Sequence, residues 1–267
     1  MTIDVCLAGA TGWAGSELAR GIAACADLRL VGAVARTQAG RVLGDAIGDA
    51  RLACRVSASA EEALAEPCDV FVEYTQPDSA KGNVLAALAH GAHVVVGTSG
   101  LGAADYAEID VAARTHGRAV LACGNFALTV VLLQRFAEIA AKHVAQWEIV
   151  DYASDAKPDA PSGTARELAD RLAKVRAPAP TVPVAQTQGV KATRGATLAG
   201  TQVHSIRLPG FVIGAEIIFG MPDQKLTIRH EAGNSARPYV DGALLAIRRV
   251  HTLAAGLHRG LDAVLEL

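Results

Sequence analysis

Apolar and polar positions along the chain follow two regimes that meet near residue 125. In the first, short apolar runs alternate with longer amphipathic stretches. Ile3–Ala8 is an apolar run that ends in glycine and predicts a strand; Trp13–Cys25 predicts a helix and Leu28–Ala35 a second strand. Asp69–Tyr74 predicts a strand, followed by a helix over Asp78–His90 with Asp78 as N-cap and Gly91 just past its end. His93–Gly97 reads as a strand, Asp105–His116 as a helix closed by Gly117, and Ala119–Ala122 as a strand. Strands separated by helices predict right-handed βαβ units on a mostly parallel sheet.

Beyond Asn125 the order changes. Val130–His143 is a long apolar helix candidate, Trp147–Tyr152 a strand, and Ser162–Val175 a helix opening in Ser-Gly-Thr. Three prolines in Ala177–Pro183 make a loop. Three strand candidates follow without intervening helices, Thr201–Leu208, Phe211–Phe219 and Leu226–His230, before Pro238–His251 returns to helix. Such a run predicts an antiparallel or mixed sheet, a second architecture beside the first.

Composition narrows the function classes. The 267 residues allow one large domain or two modest ones, and 51% hydrophobic residues against 19% charged ones supply a core rather than disorder. A balance of 25 basic and 27 acidic residues, net -2, gives no general electrostatic reason to bind nucleic acid or an anionic membrane. No apolar run reaches the roughly 18–20 residues of a membrane span. The N-terminus carries Asp4 and runs straight into a strand, so no signal peptide is expected. Five scattered cysteines without C-x-x-C spacing suggest neither a metal site nor a disulfide framework, and a cytoplasmic location is the expectation.

The candidate chemistry begins at Gly9-Ala10-Thr11-Gly12-Trp13-Ala14-Gly15, which fits G-x-x-G-x-x-G between a strand and a helix. Dinucleotide binding needs a tight turn, a backbone that lets pyrophosphate approach, and helix N–H groups aimed at the anion. Gly9 and Gly12 serve the turn and the approach, and Gly15 the packing of helix on strand. At the end of the second strand an acid would select the ribose 2′-hydroxyl and an arginine the 2′-phosphate. The sequence there is Ala35-Arg36-Thr37, without an acid, which predicts NADPH, with NADH as the lesser partner. Tyr74-Thr75-Gln76-Pro77, Gly97-Thr98-Ser99-Gly100 and Gly124-Asn125-Phe126 end further strands, where ligand clefts form in open α/β sheets.

The second constellation is Lys157-Pro158-Asp159-Ala160-Pro161-Ser162-Gly163-Thr164. Free N–H groups and hydroxyls at a helix start suit a substrate carboxylate, and Lys157 adds charge or a proton, with Asp159 orienting it. The same residues also suit a capped helix beside a surface lysine, and spacing leaves both readings open.

Together these segments, with Arg207-Leu208-Pro209-Gly210, resemble the dihydrodipicolinate reductases, also called 4-hydroxy-tetrahydrodipicolinate reductases, of bacterial lysine biosynthesis. The resemblance runs over essentially the whole chain. It implies an α/β fold: a Rossmann-like dinucleotide-binding domain over residues 1–126 completed by 238–267. A smaller α+β domain over 127–237, with a mixed sheet, would bind substrate and build a homotetramer. It implies hydride transfer from a nicotinamide to a cyclic imine or enamine carboxylate. Gly9–Ala14 would hold the pyrophosphate, and Arg36 with Thr37 the adenosine ribose. Tyr74, Gly97, Thr98 and Ser99 would sit near the nicotinamide with Cys123, Gly124, Asn125 and Phe126. Ser162, Gly163 and Thr164 would bind a substrate carboxylate, and Lys157 would bind substrate and act as proton donor.

The chain departs from the family pattern E-x-H-H-x-x-K, reading Asp151-Tyr152-Ala153-Ser154-Asp155-Ala156-Lys157. Ala153 occupies the place of the catalytic histidine and Ser154 that of a substrate-binding histidine. An apparent one-residue insertion near Asn234–Pro238 leaves the expected substrate-binding arginine either displaced to Arg237 or absent. Three functions are therefore weighed: the family reductase, a paralogous imine reductase with another cyclic imine, and a non-catalytic NADPH-binding sensor.

Overall fold

The computed structural model describes residues 2–266. The chain forms two compact units, one from the segments up to Leu128 and from Ala236 onward, the other from Thr129–Ser235.

The first unit is a seven-stranded parallel sheet. Its strands are β1 (Ile3–Ala8), β2 (Leu28–Val34), β3 (Val56–Ser57), β4 (Val70–Glu73), β5 (His93–Val96), β6 (Ala119–Ala122) and β12 (Gly256–Arg259), in the order β12-β6-β5-β4-β1-β2-β3. β1, β4 and β6 are almost wholly buried, because helices cover both faces, so their sequences run continuously apolar instead of alternating. The helices are α1 (Trp13–Ala23), α2 (Leu43–Ile47), α3 (Ala60–Ala63), α4 (Pro77–Ala89), α5 (Ala103–Thr115) and α8 (Val240–Arg249). Phe71, Val84, Leu88, Val94 and Ile109 centre the core on one side of this sheet. α1 lies against α8 so closely that a Cβ on Gly21 would meet Val240 Cγ1 at 2.5 Å. Neighbouring strands β2 and β4 leave β1 in opposite directions across the sheet, so the crevice at its carboxyl end is the switch point where such sheets bind ligands.

Several helix ends differ from expectation. α4 starts at Pro77 with Gln76 as N-cap, and Asp78 lies inside its first turn, because proline's fixed φ suits the first helical position. α5 starts at Ala103; Asp105 stands three residues inside and accepts the Gly102 N–H at 2.9 Å. α1 stops at Ala23, and the stretch expected as one helix from Pro238 opens as a 3-10 turn, Arg237–Tyr239, before α8.

The second unit carries a five-stranded mixed sheet. β7 (Gln146–Ala153), β8 (Ala196–Leu198), β9 (Thr201–Arg207), β10 (Ile213–Met221) and β11 (Gln224–Ala232) lie in the order β11-β10-β7-β9-β8, with β7 and β9 parallel and the other pairs antiparallel. Two helices, α6 (Leu128–His143) and α7 (Gly163–Val175), cover one face through Leu133, Ala137, Leu168 and Leu172 packed on Ile149, Ile217 and Phe219. Burial along β7 alternates: Trp147, Ile149, Asp151 and Ala153 are buried, while Glu148, Val150 and Tyr152 take the opposite side.

Candidate active site

The turn after β1 is shaped by contacts that only glycine permits. Gly9 has φ +81°, and a Cβ there would lie 2.2 Å from the Tyr74 carbonyl oxygen; a Cβ on Gly15 would lie 2.0 Å from the Gly9 oxygen. Gly12 is the N-cap of α1 and supplies no side-chain acceptor, so the first N–H groups of the helix stay available to an anion. The Gly9 and Ala10 N–H groups both bond the Val34 carbonyl, at 2.9 and 3.3 Å, and the Gly12 N–H bonds the Gly9 carbonyl at 2.9 Å. Gly9, Ala10 and Gly12 thus give the loop its shape, and the donors for a phosphate lie at Thr11, Trp13 and Ala14.

Arg36 and Thr37 stand in the 3-10 turn Arg36–Gln38 directly after β2. Both are exposed, and the Arg36 guanidinium makes no hydrogen bond or ion pair among the described residues.

The loops after β1, β4, β5 and β6 enclose a cavity of about 430 Å³. Trp13 and Ala14 border it with Tyr74, Gly97, Thr98, Ser99 and Cys123–Phe126, so the strand-end residues predicted to sit near a nicotinamide are brought together. Tyr239, which the sequence did not single out, completes the wall and meets Trp13 edge to face at 5.9 Å between centroids. Tyr74 lies against Phe126 at 5.7 Å, and Gly97 is small because a Cβ would sit 2.3 Å from the Tyr74 ring. The Tyr74 hydroxyl is buried without a hydrogen-bond partner, and that burial pushes its ionisation far up, so it stays a neutral phenol. Asn125 Oδ1 accepts the Ala127 N–H at 2.8 Å and fixes the turn after β6.

Glu73, the last residue of β4, was not expected. It is fully buried behind the cavity, where its carboxylate accepts the Thr75 N–H at 2.7 Å, the Thr75 hydroxyl, the Asn83 amide at 2.8 Å and the Thr98 hydroxyl at 3.1 Å. Burial raises its pKa, and those hydrogen bonds work against the rise.

In the second unit, Lys157 Nζ donates to Asp159 Oδ1 at 2.5 Å, and this contact holds the Asp159 carboxyl below the usual carboxylate range. Asp151 is completely buried and accepts the Ser162 N–H at 2.9 Å and Arg207 Nη2 at 2.7 Å. Burial pushes the Asp151 carboxyl up, but hydrogen bonds from Ser162 and Arg207 outweigh it and leave the pKa lowered. Ser162 is the N-cap of α7: its hydroxyl accepts the Ala165 N–H at 3.3 Å. Its N–H and hydroxyl are both engaged inside the fold, and it is 2% exposed. Ser162 therefore holds the helix start. Gly163, the first helical residue, is exposed, and nothing lies within 4 Å of where its Cβ would be. Thr164 follows, half-buried.

Ala153 is completely buried at the end of β7, and its carbonyl accepts the Leu208 N–H at 3.2 Å. Ser154 spends its hydroxyl locally, donating to Asp155 Oδ1 at 3.2 Å and accepting the Ala156 N–H at 3.3 Å. Tyr152 points to the other side of the sheet and donates to Glu216 at 3.0 Å, under the Arg229 guanidinium. Arg237 is exposed and belongs to the first unit, not to the unit that holds Lys157 and Gly163. Among the described residues no group of His, Cys, Asp and Glu is placed to hold a metal, and no helix is long and apolar enough to cross a membrane.

The first unit fits a nicotinamide dinucleotide: a glycine cradle in which a Cβ would clash, an uncapped helix start, and a switch-point cavity. Fold and site together define a nucleotide-dependent reductase built on a Rossmann unit. Family models for the two halves of dihydrodipicolinate reductase match residues 3–126 (N-terminus) and 129–265 (C-terminus). A 4-hydroxy-tetrahydrodipicolinate reductase of Desulfitobacterium hafniense is 39% identical over 99% of both chains, and one of Moorella thermoacetica 36% identical over 99% of this chain and 98% of its own. A dipicolinate-bound dihydrodipicolinate reductase from Paenisporosarcina superposes with a TM-score of 0.88 at 28% identity, covering 99% of this chain and all of that one. An amine dehydrogenase of Mycobacterium smegmatis shares the fold, with a TM-score of 0.69 at 17% identity over all of this chain and 97% of its own. The chain belongs to the dihydrodipicolinate reductase family and is an NAD(P)H-dependent oxidoreductase.

Proposed function

We propose that this enzyme reduces 4-hydroxy-tetrahydrodipicolinate, preferring NADPH, on the route to diaminopimelate and lysine. The observation that carries the reading is the exposed start of α7 at Gly163, reached by the loop that holds the Lys157–Asp159 pair, in a chain whose full-length relatives bear that enzyme's name.

The roles of the chain's residues follow from their chemistry. The N–H groups of Thr11, Trp13 and Ala14 bind the pyrophosphate, and the unpaired Arg36, with Thr37, takes the 2′-phosphate. Tyr74, Gly97–Ser99 and Cys123–Phe126 bound the space for the nicotinamide, which supplies the hydride when bound. Gly163 and Thr164 present backbone N–H groups to a substrate carboxylate. Lys157 supplies the proton that reduction consumes, and Asp159 keeps its ammonium aimed. Ala153 has no proton to give, so the acid work that a histidine would share rests on Lys157. Ser154 and Arg237 are the remaining substrate contacts in this reading, Ser154 through a hydroxyl already engaged in its own turn. A homotetramer and a cytoplasmic location complete it.

A paralogous imine reductase and a non-catalytic nucleotide sensor have only the absent histidines in their favour. One assay separates the three: loss of reduced-nicotinamide absorbance with freshly generated 4-hydroxy-tetrahydrodipicolinate, run beside simple cyclic imines. The proposal expects turnover with the dicarboxylate. Turnover of the simple imines alone supports the paralogue, and none with any substrate supports the sensor.

A further inference from the structure

A carboxylate taken out of water is costly unless it is hydrogen-bonded, and it is usually matched by a cation. Glu73 is fully buried, takes hydrogen bonds only from neutral groups, and makes no ion pair among the described residues. Its donors are not scattered. Thr75 belongs to the loop after β4, Thr98 to the loop after β5, and both border the 430 Å³ cavity. Asn83 lies on α4. The Glu73 carbonyl also accepts the N–H groups of Gly97 and Thr98, at 2.9 and 3.2 Å. One residue therefore ties together two of the four loops that form the cavity, and places a carboxyl group without a cationic partner among the described residues one hydroxyl away from it.

Once ionised, such a carboxyl discriminates between the two states of a nicotinamide. The reduced ring is neutral, and the ring that has given up a hydride carries a positive charge. A fixed anion beside the cavity lowers the energy of the cationic ring and leaves the neutral one little affected. That is a preference for the state the reaction creates.

We propose that Glu73 is a positioning residue of the nicotinamide cavity, setting Thr75 and Thr98 by hydrogen bonds, and that its charge biases the site toward the oxidised cofactor. The inference rests on the cofactor reading above and names a residue within that same site.

The test is equilibrium binding of NADPH and NADP⁺ to the full-length protein, by calorimetry, for wild type, Glu73→Gln and Glu73→Asp. Glu73→Gln keeps the shape and removes the charge. Its Kd for NADP⁺ rises about tenfold more than its Kd for NADPH, the scale of one poorly screened charge. Glu73→Asp keeps the charge, and its ratio of the two constants stays within about twofold of wild type. If Glu73→Gln does not fold, as judged by circular dichroism, Glu73→Asn compared with Glu73→Asp supplies the same contrast. Equal weakening of both nucleotides by the neutral variant overturns the proposal and leaves Glu73 merely structural. If wild type binds neither nucleotide, the cofactor reading itself fails, and this inference falls with it.

Discussion

Arg207 Nη2 lies 2.7 Å from Asp151 Oδ2 and 2.8 Å from the Asp159 carbonyl, so one guanidinium joins the end of β9 to both the buried side of β7 and the loop that carries Lys157. Asp151 in turn accepts the Ser162 N–H at 2.9 Å. The pair holds the 157–162 loop at Asp159 and at Ser162, and thereby sets the start of α7.

Removing one partner strands the other charge in the interior. Asp151→Asn is expected to cost on the order of 3 kcal/mol, measured as a lower urea midpoint. The sign of its pH dependence follows from the lowered Asp151 pKa. A carboxyl held below its unfolded value of about 4 contributes stability above that pH and loses it as pH falls through the folded value. The gap between wild type and Asp151→Asn is therefore full at pH 7 and narrows below about pH 4. A gap that does not change with pH would show that the Asp151 charge does not act in this way.

Lys157 pairs with Asp159 at 2.5 Å. Lys157→Ala is expected to lower kcat by roughly 10²–10⁴-fold, the usual worth of a general acid, with NADPH affinity nearly unchanged. Equal losses in kcat and in NADPH affinity would make the lysine structural.

The Arg36 guanidinium is exposed and unpaired. Arg36→Ala is expected to weaken NADPH by about tenfold or more, as befits one charge-assisted phosphate contact, and to leave NADH affinity unchanged. Titrations with both nucleotides decide it, and equal effects on the two would remove the 2′-phosphate assignment.

Gly15→Ala places a Cβ 2.0 Å from the Gly9 carbonyl oxygen. Helix α1 must then shift from the strand, at a cost of about 1–3 kcal/mol, and NADPH binding is lost with the cradle. Gly163→Ala, where no atom lies within 4 Å, is the contrasting case. It leaves stability nearly unchanged, and any effect appears in the KM of the dicarboxylate.

The first strand, its glycine turn and the following helix were legible because their signals are local: an apolar run, glycines at fixed spacing, then helical periodicity. The mixed sheet was legible from strands that follow one another without helices. β3, β12, α2 and α3 were missed because they are two to five residues long and carry no periodicity. β12 joins the sheet only by pairing with β6, more than a hundred residues earlier in the chain. Lys157 and Asp159 stood together in the sequence, but Asp151 and Arg207 are 56 residues apart, and no pattern announces their contact. Glu73 was hidden for a similar reason. An acid at the end of a strand reads as a solvent-facing residue, and its partners Thr75, Asn83 and Thr98 meet it only once α4 and β5 are in place. Ser162 was legible as part of a helix start, but its burial depends on Asp151.

The most direct measurement follows the hydride itself. The enzyme is given 4-hydroxy-tetrahydrodipicolinate and, in separate reactions, NADPH carrying deuterium on one or the other face of nicotinamide C4, and the reduced product is weighed by mass spectrometry. The account predicts a product one mass unit heavier from one of the two labelled cofactors and unlabelled product from the other. Oxidised cofactor without label in the product, or no product at all, would contradict it.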